Sequence, residues 1–229
     1  MSIDNLLHLA SSSGGVLYAL LAMLFVALTI IVERYWYLHR AARSSRQALL
    51  EINRLDSLDA RTLDGVAERY AGQPVASVLQ AAARFHAASS SEKLAAHLDE
   101  AIMLEAPRID RLLWVLDTIV TLAPLLGLLG TIIGMFNAFQ VLSDPGNAPT
   151  QVTGGVAEAL LATASGLFVA MIGLVFFNGL HNRVRGIVHQ LDTSKVMLVN
   201  RLAAHAPLEH LKEVRSARAI SAQLAQQGS

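Results

Sequence analysis

The chain has 229 residues, of which 53% are hydrophobic and only 16% charged; an ordinary soluble domain carries about 25% charged residues. Its 18 Lys and Arg balance 18 Asp and Glu, so bulk charge gives no sign of a nucleic-acid partner. There is no cysteine, which excludes disulfide frameworks, thiolate zinc sites, cysteine-held iron–sulfur clusters and cysteine nucleophiles.

The apolar residues gather into three long runs, with the charges between them. That layout predicts an all-α membrane protein with three transmembrane helices. Residues 1–15 carry no Lys or Arg. A secretory leader normally opens with a basic region, so the first run is expected to stay as a span. It covers residues 16–32 and ends in Glu33-Arg34-Tyr35-Trp36-Tyr37, a charge among aromatic rings that suits the headgroup level.

Residues 33–111 read as a cytoplasmic helical domain. Arg61 to Ala71 and Val75 to Ala88 are predicted helices, with Gly72-Gln73-Pro74 as the break between them. Ser89-x-x-Glu92 reads as a capping box. It opens a helix through Leu94, Leu98 and Ile102 towards the second span, with Pro107 as a kink point. The second span takes in residues 112–142, the link covers 143–155, and the third span covers 156–180. Gly154-Gly155 reads as a helix-opening turn. Residues 181–229 form a C-terminal helix and tail. Val184, Ile187, Val188, Leu191, Leu198 and Leu202 keep helical spacing, and the helix is expected to stop before Pro207. Beyond about Leu208 a weak helix and a disordered tail are both open readings.

Orientation follows from the Lys/Arg bias. Arg34, Arg40, Arg43 and Arg46 follow the first span, Arg108 and Arg111 precede the second, and Arg183, Arg185 and Lys195 follow the third. The 143–155 link has no Lys or Arg. The N-terminus and this link are therefore expected to face outward, with residues 33–111 and 181–229 facing the cytoplasm.

Two features in the spans could carry chemistry. The first is a pair of small-residue faces. Gly127, Thr131, Gly134 and Ala138 recur at steps of three and four, with Gly130 beside them, and Ala159, Thr163, Gly166, Ala170 and Gly173 do the same. Lipid offers helices little hydrophobic drive to associate, so close approach needs small side chains. One reading is tight packing alone. The other is that Thr131 and Thr163 also present hydroxyls to a polar pathway. The second feature is Glu158, which shares a face with Ala162, Ser165 and Val169. A carboxylate at membrane depth is costly, about 2.5–3.5 kcal/mol at the bilayer centre. Glu158 reads either as a cap on the N-terminus of the third helix, where the dipole favours negative charge, or as a proton-path group.

Secondary candidates are Ser165, Asp117 at the edge of the second span and Asn178 near the end of the third. Pro124 lies within the second span, where it frees a carbonyl. No G-x-x-x-x-G-K-[ST] loop is present, so there is no sign of nucleotide hydrolysis. The scattered His show no H-x-x-x-H pair, and no nucleophile–base set suggests an enzyme. No cofactor or metal is expected.

LAPLLGLLGTIIGMFNAF, Leu122 to Phe139, resembles the second-span signature of the ExbB/TolQ proton-channel family. GGVAEALLATASGLFVA, Gly154 to Ala170, resembles its third-span signature. The match extends over about residues 89–200 and leans towards ExbB. The resemblance implies a homopentamer with long cytoplasmic helical extensions, set in membrane lipids of the bacterial inner membrane. It implies an ExbD/TolR-type single-span partner that carries an essential Asp, and a TonB/TolA-type energy transducer. Protons are then the coupling ion. By motif, Thr131, Glu158 and Thr163 match the polar residues that line the family's channel. A proline often follows in the family's third span; Ile172 stands there in this chain.

The topology is directly testable because the chain lacks cysteine. A cysteine introduced at Ser143 is expected to react with an impermeant maleimide from outside the inner membrane, and one at Ser90 only after the membrane is opened. The reverse pattern contradicts the orientation.

Overall fold

The structure is a computed structural model. It describes the backbone of residues 15–55, 58–85, 90–141 and 149–227, and side chains within these up to residue 202, except for 141 and 149–152. The elements are α1 (Val16–Arg54), α2 (Ala60–Arg69), α3 (Pro74–Phe85), α4 (Ser91–Ile109), α5 (Leu113–Val141) and α6 (Pro149–Gln227). No strand occurs among the described residues. Three helices, α1, α5 and α6, contain a stretch long and apolar enough to cross a membrane. The all-α, three-span class expected from the sequence is therefore found.

Several local expectations change. Helix α4 runs through Pro107 to Ile109, and the chain breaks at 110–112, where Leu112 takes a left-handed φ of 66°. Pro107 lies on an exposed face of α4, so the hydrogen bond it removes is outside the packed side. Ser89 lies outside the described residues. The cap observed is Ser90, whose Oγ accepts from the Lys93 amide at 3.5 Å. The expected helices at 61–71 and 75–88 correspond to α2 and α3, with 86–88 outside the described residues, and Gly72 (φ 79°) turns the chain between them.

Helix α6 does not stop before Pro207; it continues to Gln227. Between Ile187 and Gln227 there is no glycine and no other proline, and Ala, Leu, Gln, Arg and Glu predominate. Strong helix formers on both sides outweigh one missing amide. At its other end α6 starts at Pro149, where the fixed φ and absent N–H of proline cost nothing. Gly154 and Gly155 therefore lie inside the helix and do not form an opening turn.

The chain divides into two compact units. The first comprises Met1–Tyr37 and Asp110–Asn182. Its buried side chains are mostly small or aliphatic: Leu20, Ala27, Leu116, Ala123, Ala159, Ala162 and Val169. Large apolar groups such as Phe25, Leu125, Ile132, Phe136 and Val175 are exposed. Only 28% of each span's most apolar window is buried. A soluble unit would not leave so much apolar surface in water, but a bilayer or further helices satisfy it. Arg34 is buried at the end of the first run, where it pairs with Glu33 at 2.7 Å and lies over the Tyr37 ring at 4.8 Å.

The second unit comprises Leu38–Ile109 and Arg183–Ser229. Its core includes Ile52, Leu63, Val66, Val78, Leu79, Leu98, Leu191 and Leu198. Polar contacts tie its helices together. Lys195 on α6 pairs with Asp99 on α4 at 2.6 Å. Ser77 on α3 donates to the buried Glu105 carboxylate of α4 at 2.7 Å, and Arg108 donates to the same oxygen at 3.1 Å. Glu51 on α1 pairs with Arg69 and accepts the Tyr70 hydroxyl at 3.2 Å. Burial, then the nearby Glu51 charge, pushes the Tyr70 phenol above its ordinary value of 10.0. The neutral phenol is thus favoured in the folded chain. That contribution is fully present below pH 10.0 and is lost as pH climbs through the raised value.

Arg201 closes this unit. Its guanidinium forks onto the carbonyl oxygens of Ile52 and Leu55 at the C-terminus of α1. They lie at a helix end, where carbonyls lose their regular intrahelical partners; the Ile52 carbonyl also accepts from the Leu55 amide at 3.3 Å, and a cation there meets the negative end of the helix dipole. Arg201→Ala is expected to destabilise the chain by about 1–3 kcal/mol, read as a lowered thermal midpoint of the detergent-solubilised protein. An unchanged midpoint would show that the fork contributes nothing.

Candidate functional site

The α5–α6 seam within the first unit is built from the absence of side chains. A methyl group added at Gly134 would lie 2.8 Å from Ala159 Cβ, and one at Gly155 would lie 2.9 Å from Ala138 Cβ. At Gly127 it would meet the Ala162 carbonyl at 3.0 Å and Thr163 Cα at 3.1 Å. At Gly130 it would meet Ala162 Cβ at 2.7 Å and Val16 Cγ1 at 3.2 Å. At Gly166 it would strike the Ala123 carbonyl and crowd Gly127 Cα, and at Gly173 it would meet Val120 Cγ2 at 2.8 Å. The partners run in opposite directions along the two helices, so α5 and α6 pack antiparallel, backbone on backbone. This is the close approach that small residues permit in a bilayer.

Thr163 sits in that seam. Its Oγ1 donates across to the Gly127 carbonyl at 3.0 Å. The Thr131 hydroxyl, 3.5 Å from Thr163 Oγ1, donates back to the Leu128 carbonyl at 2.6 Å. Both hydroxyl protons are thus turned onto carbonyls, while the hydroxyl oxygens keep acceptor capacity. The small-residue faces therefore pack tightly, and they bring the two hydroxyls within 3.5 Å of each other.

Glu158 is half-buried, beside Ala159. Helix α6 begins at Pro149, so Glu158 lies more than two turns inside it. Dipole stabilisation falls off within the first turn, which removes the reading of Glu158 as an N-terminal cap. The carboxylate has no hydrogen bond or ion pair among the described residues. It lies about 140° round the helix from Thr163, so the structure does not bring these two side chains together. Ala162 and Val169, on the Glu158 stripe, are buried. Ser165 and Val169 line an apolar groove of about 350 Å³ with Leu17, Leu20, Leu21 and Leu24 of α1. Ser165 thus turns towards the first span.

The remaining candidates separate. Asp117 and Asn178 are exposed, and the Asp117 backbone carbonyl accepts from Thr121 Oγ1 at 3.2 Å. Pro124 is half-buried within α5, and Ala170 is half-buried outside the tightest contacts. The sequence reading missed Gly155 as a seam member, having assigned it to a turn. Counting back from Ala159 by four would have found it.

A family model described as the MotA/TolQ/ExbB proton channel family matches residues 70–193. The chain belongs to this family. The matched stretch contains the seam, both threonines and Glu158. Among relatives, an ExbB-like protein (ExbB-like 3) of Synechocystis is 30% identical over 214 residues, covering 90% of this chain and 100% of its own. The biopolymer transport protein ExbB of Xanthomonas campestris is 34% identical over 106 residues, covering 46% of this chain and 42% of its own. The Tol-Pal system protein TolQ of Haemophilus influenzae is 44% identical over 73 residues, covering 31% and 32%. The likeness leans to ExbB, and with three apolar helices it makes the chain a multi-pass inner-membrane protein of an ExbB/TolQ-type proton-channel family.

For this family member, Gly166 and Gly179 on α6 form a matched pair. Gly166 is closed in by α5, whereas nothing lies within 4 Å of a methyl group at Gly179. Gly166→Ala is expected to cost about 1–3 kcal/mol by overpacking. Gly179→Ala is expected to be neutral or stabilising by up to about 1 kcal/mol. Thermal midpoints of the two purified variants check the contrast, and equal midpoints would contradict the seam.

Proposed function

We propose that the chain is an ExbB-type stator subunit. Five copies surround the single spans of an ExbD-type partner, and the assembly uses the proton motive force to energise TonB-dependent transport across the outer membrane. The N-terminus is periplasmic and the C-terminus cytoplasmic. The reading is supported by family membership and by the likeness to the Xanthomonas ExbB. The observation that carries it is the Thr163 hydroxyl placed against Gly127 and Thr131 in the middle of the glycine seam.

In this account Thr131 and Thr163 line the polar side of the path with fixed hydroxyl oxygens. Glu158 offers a carboxylate that neighbouring subunits shelter from lipid. Its role in this account is to take up and release a proton. The partner supplies a second acidic group to the path. A TolQ-type role in envelope integrity is the second reading, favoured by the 44% identity to the Haemophilus TolQ.

Thr163→Val and Glu158→Gln are each expected to abolish partner-dependent proton flux in reconstituted vesicles and siderophore uptake in cells, with oligomer assembly intact. Normal flux in both variants would contradict the assignment of these two residues to the path, and no partner-dependent flux in the unmodified protein would leave only a non-conducting scaffold. Rescue of detergent resistance without rescue of uptake, in a strain lacking both systems, would favour the TolQ-type role.

A further inference from the structure

The second unit carries a groove of about 550 Å³ between α3 and α4, whose walls include Gln80, Arg84, Phe85, His97, Leu104 and Arg108. Its aromatic wall is fixed from two sides: the Arg84 guanidinium lies 5.5 Å from the Phe85 ring centroid, and the His97 ring stacks on Phe85 at 4.0 Å. The groove also holds two carboxylates. Glu105 is buried and answered internally by Ser77 and Arg108. Glu100 faces His97 at 3.7 Å. Arg84 remains exposed, and 74% of the Arg108 side chain is exposed although one of its nitrogens engages Glu105. A guanidinium has five donors, more than the Glu105 contact takes up.

Apolar surface flanks these cations. Met103 and Leu104 are 73% and 70% exposed, an unusual placement for adjacent large apolar residues on a polar unit. Cations beside exposed aliphatic side chains suit an amphiphile, whereas a soluble anion would have no use for the apolar lip. Along the chain, Arg108 stands five residues before Leu113, where the second span begins.

We propose that the α3–α4 groove binds the headgroup of an anionic phospholipid. Arg84 and Arg108 hold the phosphate, and Leu104 and Met103 lie against the upper acyl chain. The site would tie this helical hairpin to the membrane surface, separately from any proton path.

The test uses the full chain, which has no cysteine, with the exposed groove residue Gln80 replaced (Gln80→Cys) and labelled with bimane. Moving the protein from phosphatidylcholine nanodiscs to nanodiscs that also contain phosphatidylglycerol is expected to shift the emission to shorter wavelength. Arg84→Gln should abolish the shift, and Arg84→Lys should preserve it. Identical emission in the two lipids, or a shift that survives Arg84→Gln, would overturn the proposal. The same shift produced by free glycerol phosphate in phosphatidylcholine alone would overturn the lipid as the source.

Discussion

The contact on which the first unit depends is the direct meeting of backbones between α5 and α6. In water, apolar side chains drive helices together; in a bilayer the surrounding chains are as apolar as leucine, and that drive is gone. What remains is dispersion, which falls away steeply with distance, and hydrogen bonding. Gly127, Gly130, Gly134, Gly155, Gly166 and Gly173 each open a place where the facing helix sits closer than a side chain would allow. The bulky residues go elsewhere: Leu125, Ile132, Phe136, Leu160 and Val175 are exposed, available to lipid or to other subunits.

The polar chemistry follows from that packing. A threonine can reach a carbonyl on a neighbouring helix only where the backbones are near, and Thr163 does so at Gly127, a residue with no side chain in the way. The hydroxyl pair is therefore a product of the glycine seam. Glu158 stands apart from it, on a stripe that leads through Ala162 to Ser165 and Val169. One helix thus carries two polar features on two faces, a fixed hydroxyl cluster against α5 and a half-buried carboxylate elsewhere.

The span count was legible because a long uninterrupted apolar run has few alternatives. The seam was legible because small residues recurred at helical steps in both spans. Helix ends were harder. Pro207 looked like a boundary and is not one, because it sits within a long run of strong helix formers. The true break at 110–112 carries no glycine or proline, only Leu112 in a left-handed conformation, so no local signal marks it. Gly154-Gly155 resembled a turn because glycine serves both turns and close packing, and only the opposing Ala138 settles which role Gly155 has. The Arg201 fork onto the α1 carbonyls joins residues far apart in the chain and left no pattern to read.

The most direct measurement is solid-state NMR of the unmodified protein in lipid bilayers, with glycine labelled at Cα. The account predicts a strong through-space cross-peak between Gly127 and Gly166, two residues on different helices whose backbones are in contact. Its absence, with both resonances assigned, would mean that the two helices do not meet there, and the threonine pair would lose its support.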